Sequence, residues 1–227
     1  MIQAVVVGAG GGLGHALTMA LEQGGAYHRI TRLGRSTTPP LDLLSEPSIT
    51  AAAAWVAGQG EVRLVLDATG FLHDDGYRPE RGWRDIDPAH MAHAFAINAI
   101  GPALLIKHLC PLFPREGRVV FATLSARVGS IGDNRLGGWY SYRASKAALN
   151  QLVRCAAVEL RRRNPESLCV ALHPGTVDTA LSAPFAKTGL DARSPDVAAK
   201  DLVGVLEGLS AEGSGEFYDQ HGEAIPW

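Results

Sequence analysis

MIQAVVVGAGGGLGHALTMALEQGG, residues 1–25, sets three local patterns in immediate succession. Met1 to Val7 is a short apolar run rich in β-branched residues, which favours an extended strand. GAGGGLG follows at once, and HALTMALEQGG then carries apolar side chains at helical spacing. Strand, glycine turn and helix in that order make an anion-binding unit. Gly8 can take a tight turn, Gly12 and Gly14 let backbone and helix approach a diphosphate, and the N–H groups at the helix start face the anion. The spacing is G-x-x-x-G-x-G, with Leu13 where a G-x-G-x-x-G pattern counted from Gly8 would have its third glycine. A glycine turn without a ligand is the alternative; the strand before it and the uncharged helix start after it weigh against that.

The alternation begun here continues along the chain. Strands are expected at 2–7, 28–33, 62–67, 117–122, 167–172 and 215–219, with helices near 12–23, 47–58, 88–113, 140–163 and 195–208. That order implies an α/β fold, a single Rossmann-type doubly wound parallel sheet with helices on both faces and ligands gathered at the carboxyl ends of the strands. No repeat, low-complexity tract or linker interrupts it, so residues 1–227 read as one dinucleotide-binding domain. HDDGYRPERGW (73–83) and GSIGDNRLGGW (129–139) are long polar connections of the kind that form a functional rim. Leu136, Trp139, Pro184 and Phe185 suggest an apolar pocket beneath them.

Tyr142 and Lys146, in YRASK, stand one turn apart on one face of the helix expected at 140–163. A fixed ammonium favours the phenolate, so the tyrosine pKa is expected to fall from about 10 towards the working range. Such a phenol can both give and take a proton. On an isolated helix the same pair equally well packs stem against ring. The wider context decides. With the N-terminal glycine turn stand Leu41-Asp42, DATG (67–70), NAIG (98–101), LSARVGS (124–130) and HPGTVDT (173–179). Over essentially its whole length the chain therefore resembles the short-chain dehydrogenase/reductase family. LSARVGSI and GGWYSYRASKAALN, with a terminal IPW, resemble its sniffer or C-factor-like carbonyl reductase branch.

The resemblance implies an NAD(P)-dependent oxidoreductase that moves hydride between a nicotinamide and a carbonyl or alcohol carbon. It implies that Tyr142 exchanges the proton at the substrate oxygen, that Lys146 lowers the tyrosine pKa and holds the nicotinamide ribose, and that Asn98 supports a water relaying protons past Lys146. Gly8, Gly12, Leu13 and Gly14 would hold the diphosphate. Ala68, Thr69 and Gly70 would line the cofactor, Asp42 would contact the adenine, and Pro174, Gly175, Val177 and Thr179 would fix the carboxamide and pyrophosphate. Asn98 can equally be a buried polar group bonded to backbone, Asp42 a turn cap, and HPG a simple turn. Arg35 follows the second strand, where a 2′ substituent arrives, and no acid stands there to accept bonds from a ribose diol. With Ser36 and Thr37 adding hydroxyls, NADP(H) is favoured over NAD(H); the alternative is an ordinary loop arginine.

Three positions depart from the family pattern. Counting back from Gly129 puts Ala126 where the catalytic serine is expected, so the bond to the substrate oxygen falls to Ser125, one residue early, with Ser130 another hydroxyl nearby. Val7 replaces the usual threonine. DATG replaces an Asn-Asn-Ala-Gly run, which removes side-chain bonds expected to steady the central sheet. Ala126 leaves open a second reading, a dinucleotide-binding signalling or regulatory protein with little turnover.

At 227 residues, 46% hydrophobic and a formal charge of −2, the chain can bury a sizeable core and offers no electrostatic case for nucleic acid or a membrane surface. Cys110, Cys155 and Cys169 read as buried reduced thiols, and neither they nor the eight histidines have metal-ligand spacing. No run is read as approaching the length of a membrane span, and a first strand beginning at Ile2 leaves no room for a signal peptide, so a cytoplasmic location is expected. The segments 88–113 and 140–163 carry more apolar residues than one sheet-facing stripe needs, which points, as does the resemblance, to a homodimer or homotetramer acting on a small-molecule carbonyl or alcohol.

Overall fold

The computed structural model describes residues 1–185 and 192–227. Six strands, β1 (Ile2–Val7), β2 (Arg29–Leu33), β3 (Glu61–Asp67), β4 (Val119–Leu124), β5 (Ser167–Leu172) and β6 (Phe217–Tyr218), pair in parallel in the order β2-β1-β3-β4-β5-β6. The order turns back between β1 and β3, which opens a crevice at their carboxyl ends. Register places Val7 beside Asp67 and Asp67 beside Thr123, so the ends of β1, β3 and β4 lie level along the floor of that crevice.

The helices are α1 (Gly12–Gly24), α2 (Glu46–Ala57), α3 (Pro88–Phe95), α4 (Gly101–Leu109), α5 (Tyr140–Arg163) and α6 (Pro195–Gly208). Side chains alternate across each strand, and both faces are covered, so both faces must be apolar. Val5, Val7, Val65 and Phe121 pack with residues of α2, α4 and α5, such as Ile49, Leu105, Leu149 and Val153. Ala4, Val6, Leu66 and Ala122 pack the other way, with Leu13 and Leu17 of α1 and Ala198 and Leu202 of α6. Three helix starts carry the cap their sequence announces. Ser45, Asp87 and Ser194 each accept a first-turn N–H just before a proline in the first turn.

The expected strands and helices are all present, with two informative differences. β4 runs two residues later than 117–122, because Gly117 takes φ 73° in the preceding turn and Ser125 N–H extends the pairing onto the Leu172 carbonyl. The helix expected over 88–113 is broken into α3, a wide π turn at Ala96–Ile100, α4 and a short 3₁₀ turn at Cys110–Leu112. Pro102 has no N–H for the Asn98 carbonyl and its ring crowds that carbonyl, so the chain widens by one residue and Gly101 N–H reaches back to Ala96.

Two expectations are corrected. Cys110 and Cys169 are buried, but Cys155 is exposed, since position 155 lies on the outer face of α5. Pro88–Leu112, 25 residues that include an 18-residue window of mean hydropathy 1.4, is long and apolar enough by length and composition to cross a membrane. In this fold it packs on α2 and α5.

Candidate active site

The glycine turn closes one end of a cleft of about 850 Å³ at the carboxyl edge of the sheet. Gly8 leaves β1 with φ 81° and its carbonyl accepts the Gly11 N–H at 3.0 Å. A Cβ on Gly14 would stand 2.2 Å from the Gly8 oxygen, so only glycine lets the helix start this close to the strand. Gly11 provides no side-chain cap and the first turn of α1 holds no acid, which leaves that turn's N–H groups, with Gly12, Leu13 and Gly14 lining the cleft, suited to an anion.

Arg35 lines the same end, and among the described residues it has no carboxylate partner within ion-pair distance. Ser36 lies behind it, its hydroxyl 3.8 Å from the point where a Cβ on Gly10 would sit. Asp42 is placed otherwise than the resemblance implies. Its carboxylate accepts the Leu44 N–H at 2.9 Å and it stays outside the cleft lining, the ordinary use of aspartate at a turn. Ala68, Thr69 and Gly70 line the floor. Asp67, expected to weaken the sheet end, does the reverse. Its buried carboxylate accepts Thr69 N–H and O–H at 3.0 and 2.6 Å and the Thr123 hydroxyl at 2.7 Å, tying β3 to β4.

Tyr142 and Lys146 occupy the first two turns of α5 and meet the floor at its centre. Lys146 is buried, and its ammonium donates to the Leu124 carbonyl at 2.7 Å. Burial pulls its pKa down to about 8 against the opposing charge of Asp67, while burial pushes the Asp67 carboxyl up. The expectation for Tyr142 is corrected. Enclosure pushes its phenol up to about 12, because the phenolate loses its hydration while the Lys146 nitrogen stands 6.0 Å from the ring centroid and is bonded to Leu124.

Asn98, in the π turn, lies beside Lys146 across Gly70, and its amide is fully engaged. The side-chain oxygen accepts Phe71 N–H at 2.7 Å, and the nitrogen donates to the Phe71 carbonyl at 2.8 Å and the Ser145 hydroxyl at 3.0 Å. These bonds make the side chain a buried polar group tied to backbone, while its main-chain carbonyl lacks the usual helix partner at Pro102.

The serine read from the sequence has a partner within the fold. Side chains alternate beyond β4, so Ser125 turns towards α5 and donates its hydroxyl to Asn150 Oδ1 at 2.7 Å, while Ala126 lines the cleft. Ser130 donates to the Pro226 carbonyl and accepts the Asp133 N–H at 3.1 Å. Ser125 lines the cleft with Ala126 and Tyr142, its hydroxyl engaged by Asn150, whereas Ser130 is outside the lining. Pro174, Gly175, Val177 and Thr179 form the wall opposite, together with His173, a neighbour the sequence reading did not single out. Burial holds its imidazole down to about 4, so it is neutral at ordinary pH, and its Nδ1 has no partner among the described residues.

The far end of the cleft is apolar. Trp139 packs edge-on against Tyr142 and Phe185 at 6.1 and 5.3 Å, His73 meets Phe185 at 5.2 Å, and Leu136, Leu72 and Leu181 complete the wall. Pro184 is outside the lining.

A family model described as enoyl-(acyl carrier protein) reductase matches residues 10–201. The chain belongs to the short-chain dehydrogenase/reductase family. It is 31% identical over 236 residues to 1-hydroxy-2-glutathionyl-2-methyl-3-butene dehydrogenase of Rhodococcus sp. (strain AD45), covering 100% of both chains. It is 39% identical over 144 residues to C-signal of Myxococcus xanthus, covering 63% of this chain and 82% of that one, which agrees with the C-factor-like branch read from residues 124–149. The solved structure of NADPH-bound carbonyl reductase from chicken fatty liver superposes with a TM-score of 0.86 at 25% identity, over 99% of this chain and 94% of that one. As a member of this family the protein is an NAD(P)-dependent oxidoreductase of small molecules.

Proposed function

We propose that the protein is an NADPH-dependent carbonyl reductase in which Tyr142 gives the proton to the substrate oxygen. The observation that carries this reading is the convergence of Tyr142 and Lys146 on the middle of one cleft, between an anion-binding glycine turn and an aromatic pocket. The residues fit a dinucleotide. The backbone of Gly12, Leu13 and Gly14 would take the diphosphate, Arg35 a 2′-phosphate, and Ala68 and Gly70 the flat face of the ring system, with Lys146 at the ribose and Val177 and Thr179 at the carboxamide. When bound, the cofactor supplies the hydride.

The chain's own contribution is proton placement and exclusion of water. A phenol held up at about 12 is protonated at neutral pH, so the proton is in place, and a cation beside it lowers the cost of giving that proton up. Lys146, at about 8, lies near neutrality and can take up the proton deficit left on the tyrosine. The pocket of Leu72, Trp139, Leu181 and Phe185 selects substrates with an apolar body. The low-turnover regulatory alternative is not favoured by the family comparisons.

Tyr142→Phe keeps the ring and removes only the hydroxyl. Carbonyl reduction, followed by loss of nicotinamide absorbance across a panel of aldehydes and ketones, should fall at least about a hundredfold while NADPH binding persists. Near-normal turnover would remove Tyr142 from the chemistry. Arg35→Ala should weaken NADPH by about 1.5–3 kcal/mol and leave NADH nearly unchanged in parallel titrations. Equal loss for both cofactors would reduce Arg35 to a loop support.

A further inference from the structure

α5, which carries Tyr142, begins without a cap of its own. Trp139 holds the N-cap position at φ 52° and offers no side-chain acceptor. The acceptor comes from the 73–83 connection. Glu80 is 2% exposed, both its carboxylate oxygens accept the Ser141 N–H at 3.2 Å, and one also accepts the Ser141 hydroxyl. The Glu80 backbone carbonyl accepts the Trp139 N–H at 2.6 Å.

These contacts belong to a closed circuit around the first turn of α5. The Ser145 hydroxyl donates to the Tyr142 carbonyl at 2.9 Å and accepts from Asn98, whose amide clamps the Phe71 backbone. The Phe71 ring meets Tyr77 and His90 edge-on at 6.4 and 6.1 Å, and Tyr77 stacks on His90 at 5.0 Å. His90 Nδ1 stands 3.6 Å from Glu80, which closes the loop.

We propose that Glu80 is a positioning residue for Tyr142. The first N–H groups of a helix have no partner within it, and an uncapped first turn frays. A buried carboxylate there satisfies them and complements the positive end of the helix. Tyr142 follows Ser141 directly, so the backbone that aims the phenol is held from one side by Glu80 and from the other by Ser145 and Asn98. Small misplacement of a proton donor lowers turnover without changing what binds. This inference rests on the reading that Tyr142 is the proton donor.

The test compares Glu80→Gln, Glu80→Ala, Ser141→Ala and, as a control, Ser194→Ala, which removes the N-cap of α6 on the opposite face of the sheet. Glu80→Gln should lower kcat by about tenfold with KM for NADPH and carbonyl within about twofold, and Glu80→Ala should lower it further, the ordering expected when an aimed group loses its support in steps. Ser141→Ala should reproduce part of the loss. Ser194→Ala should lower the melting temperature and leave kcat unchanged. If Glu80→Ala does not fold, Glu80→Gln and Ser141→Ala still decide. A kcat within twofold of the parent in both, or a kcat that falls in Ser194→Ala as in Glu80→Gln, overturns the proposal. Tyr142→Phe measured alongside separates the two claims, since an active Tyr142→Phe defeats the proton-donor reading itself, whereas an inactive one beside a fully active Glu80→Gln defeats only the role of Glu80.

Discussion

Ala126 presents a methyl to the cleft where its family expects a hydroxyl, and the geometry explains why its neighbour does not compensate. Beyond β4, odd positions continue the α5-facing row of Val119 and Phe121, so Ser125 reaches Asn150, whereas Ala126 continues the row of Ala122 and Leu124. A one-residue offset in a strand reverses the face. Ala126→Ser should therefore place a second donor beside Tyr142 and raise kcat/KM by about two- to tenfold, the size of one net hydrogen bond. Ser125→Ala should leave turnover unchanged and reduce stability by about 1–3 kcal/mol, because Asn150 loses a buried partner. Steady-state kinetics and urea melts on both variants check this. Loss of turnover in Ser125→Ala would restore that serine to the chemistry. The strand–glycine turn–helix unit was legible in the sequence because glycines constrain backbone directly. The hydroxyl geometry and the fully engaged Asn98 amide were not, because both depend on which tertiary partner a side chain finds.

At the level of elements, periodicity located every strand and helix because each is buried on a consistent side. It missed the π turn, since apolar side chains run unbroken through FAINAIGPALL and only the Pro102 ring forces the widening. It placed the start of α5 at 140 but did not show how the chain arrives there. Gly137, Gly138 and Trp139 take φ of 64°, 66° and 52° in succession, a left-handed approach that brings the chain under the Glu80 carbonyl. A Cβ on Gly138 would lie 3.3 Å from that oxygen, so Gly138→Ala carries both a conformational penalty and a tight contact. It should destabilise the fold by about 1–2 kcal/mol. Gly204→Ala, in the exposed interior of α6 with open space around it, should instead stabilise by up to about 1 kcal/mol. Thermal melts of the pair test the contrast. Equal and opposite outcomes to these would mean that the 137–139 approach carries no strain.

On the scale of the molecule, the outer faces of α4 and α5 remain to be covered. Ile100 is 55% and Val158 46% exposed, and Ala103, Leu104, Ala148 and Leu152 are only half-buried around them. Segments of the same chain that might have folded over this surface lie elsewhere. Tyr77 of the 73–83 connection stacks on His90 and packs at a tilt on His93 of α3. The C-terminal segment runs to the 130–132 turn, where Trp227 accepts the Gly132 N–H at 2.8 Å and stacks on Phe217 at 6.0 Å. We propose that a second copy covers it, so that α4 and α5 meet their symmetry mates across a two-fold axis while the Tyr142 face stays turned to the cleft. Around Ile100 and Ala103 the outward side chains are small or aliphatic, which allows close approach of helices, while Gln151 and Glu159 are exposed beside Val158 on α5 and Lys107 of α4 is already paired with Glu46. Light scattering coupled to size exclusion at micromolar protein should then give two or four times 24.0 kDa, and a mass near 24.0 kDa would defeat the assembly. Ala103→Glu should move the population to monomer, because a charge buried without a partner at such a contact costs more than one small side chain can return. Because the cleft is built from one chain, the dissociated variant should retain NADPH binding. Joint loss of assembly and cofactor affinity would mean instead that the contact holds the 96–100 turn, and with it Asn98 and the Phe71 backbone, in place.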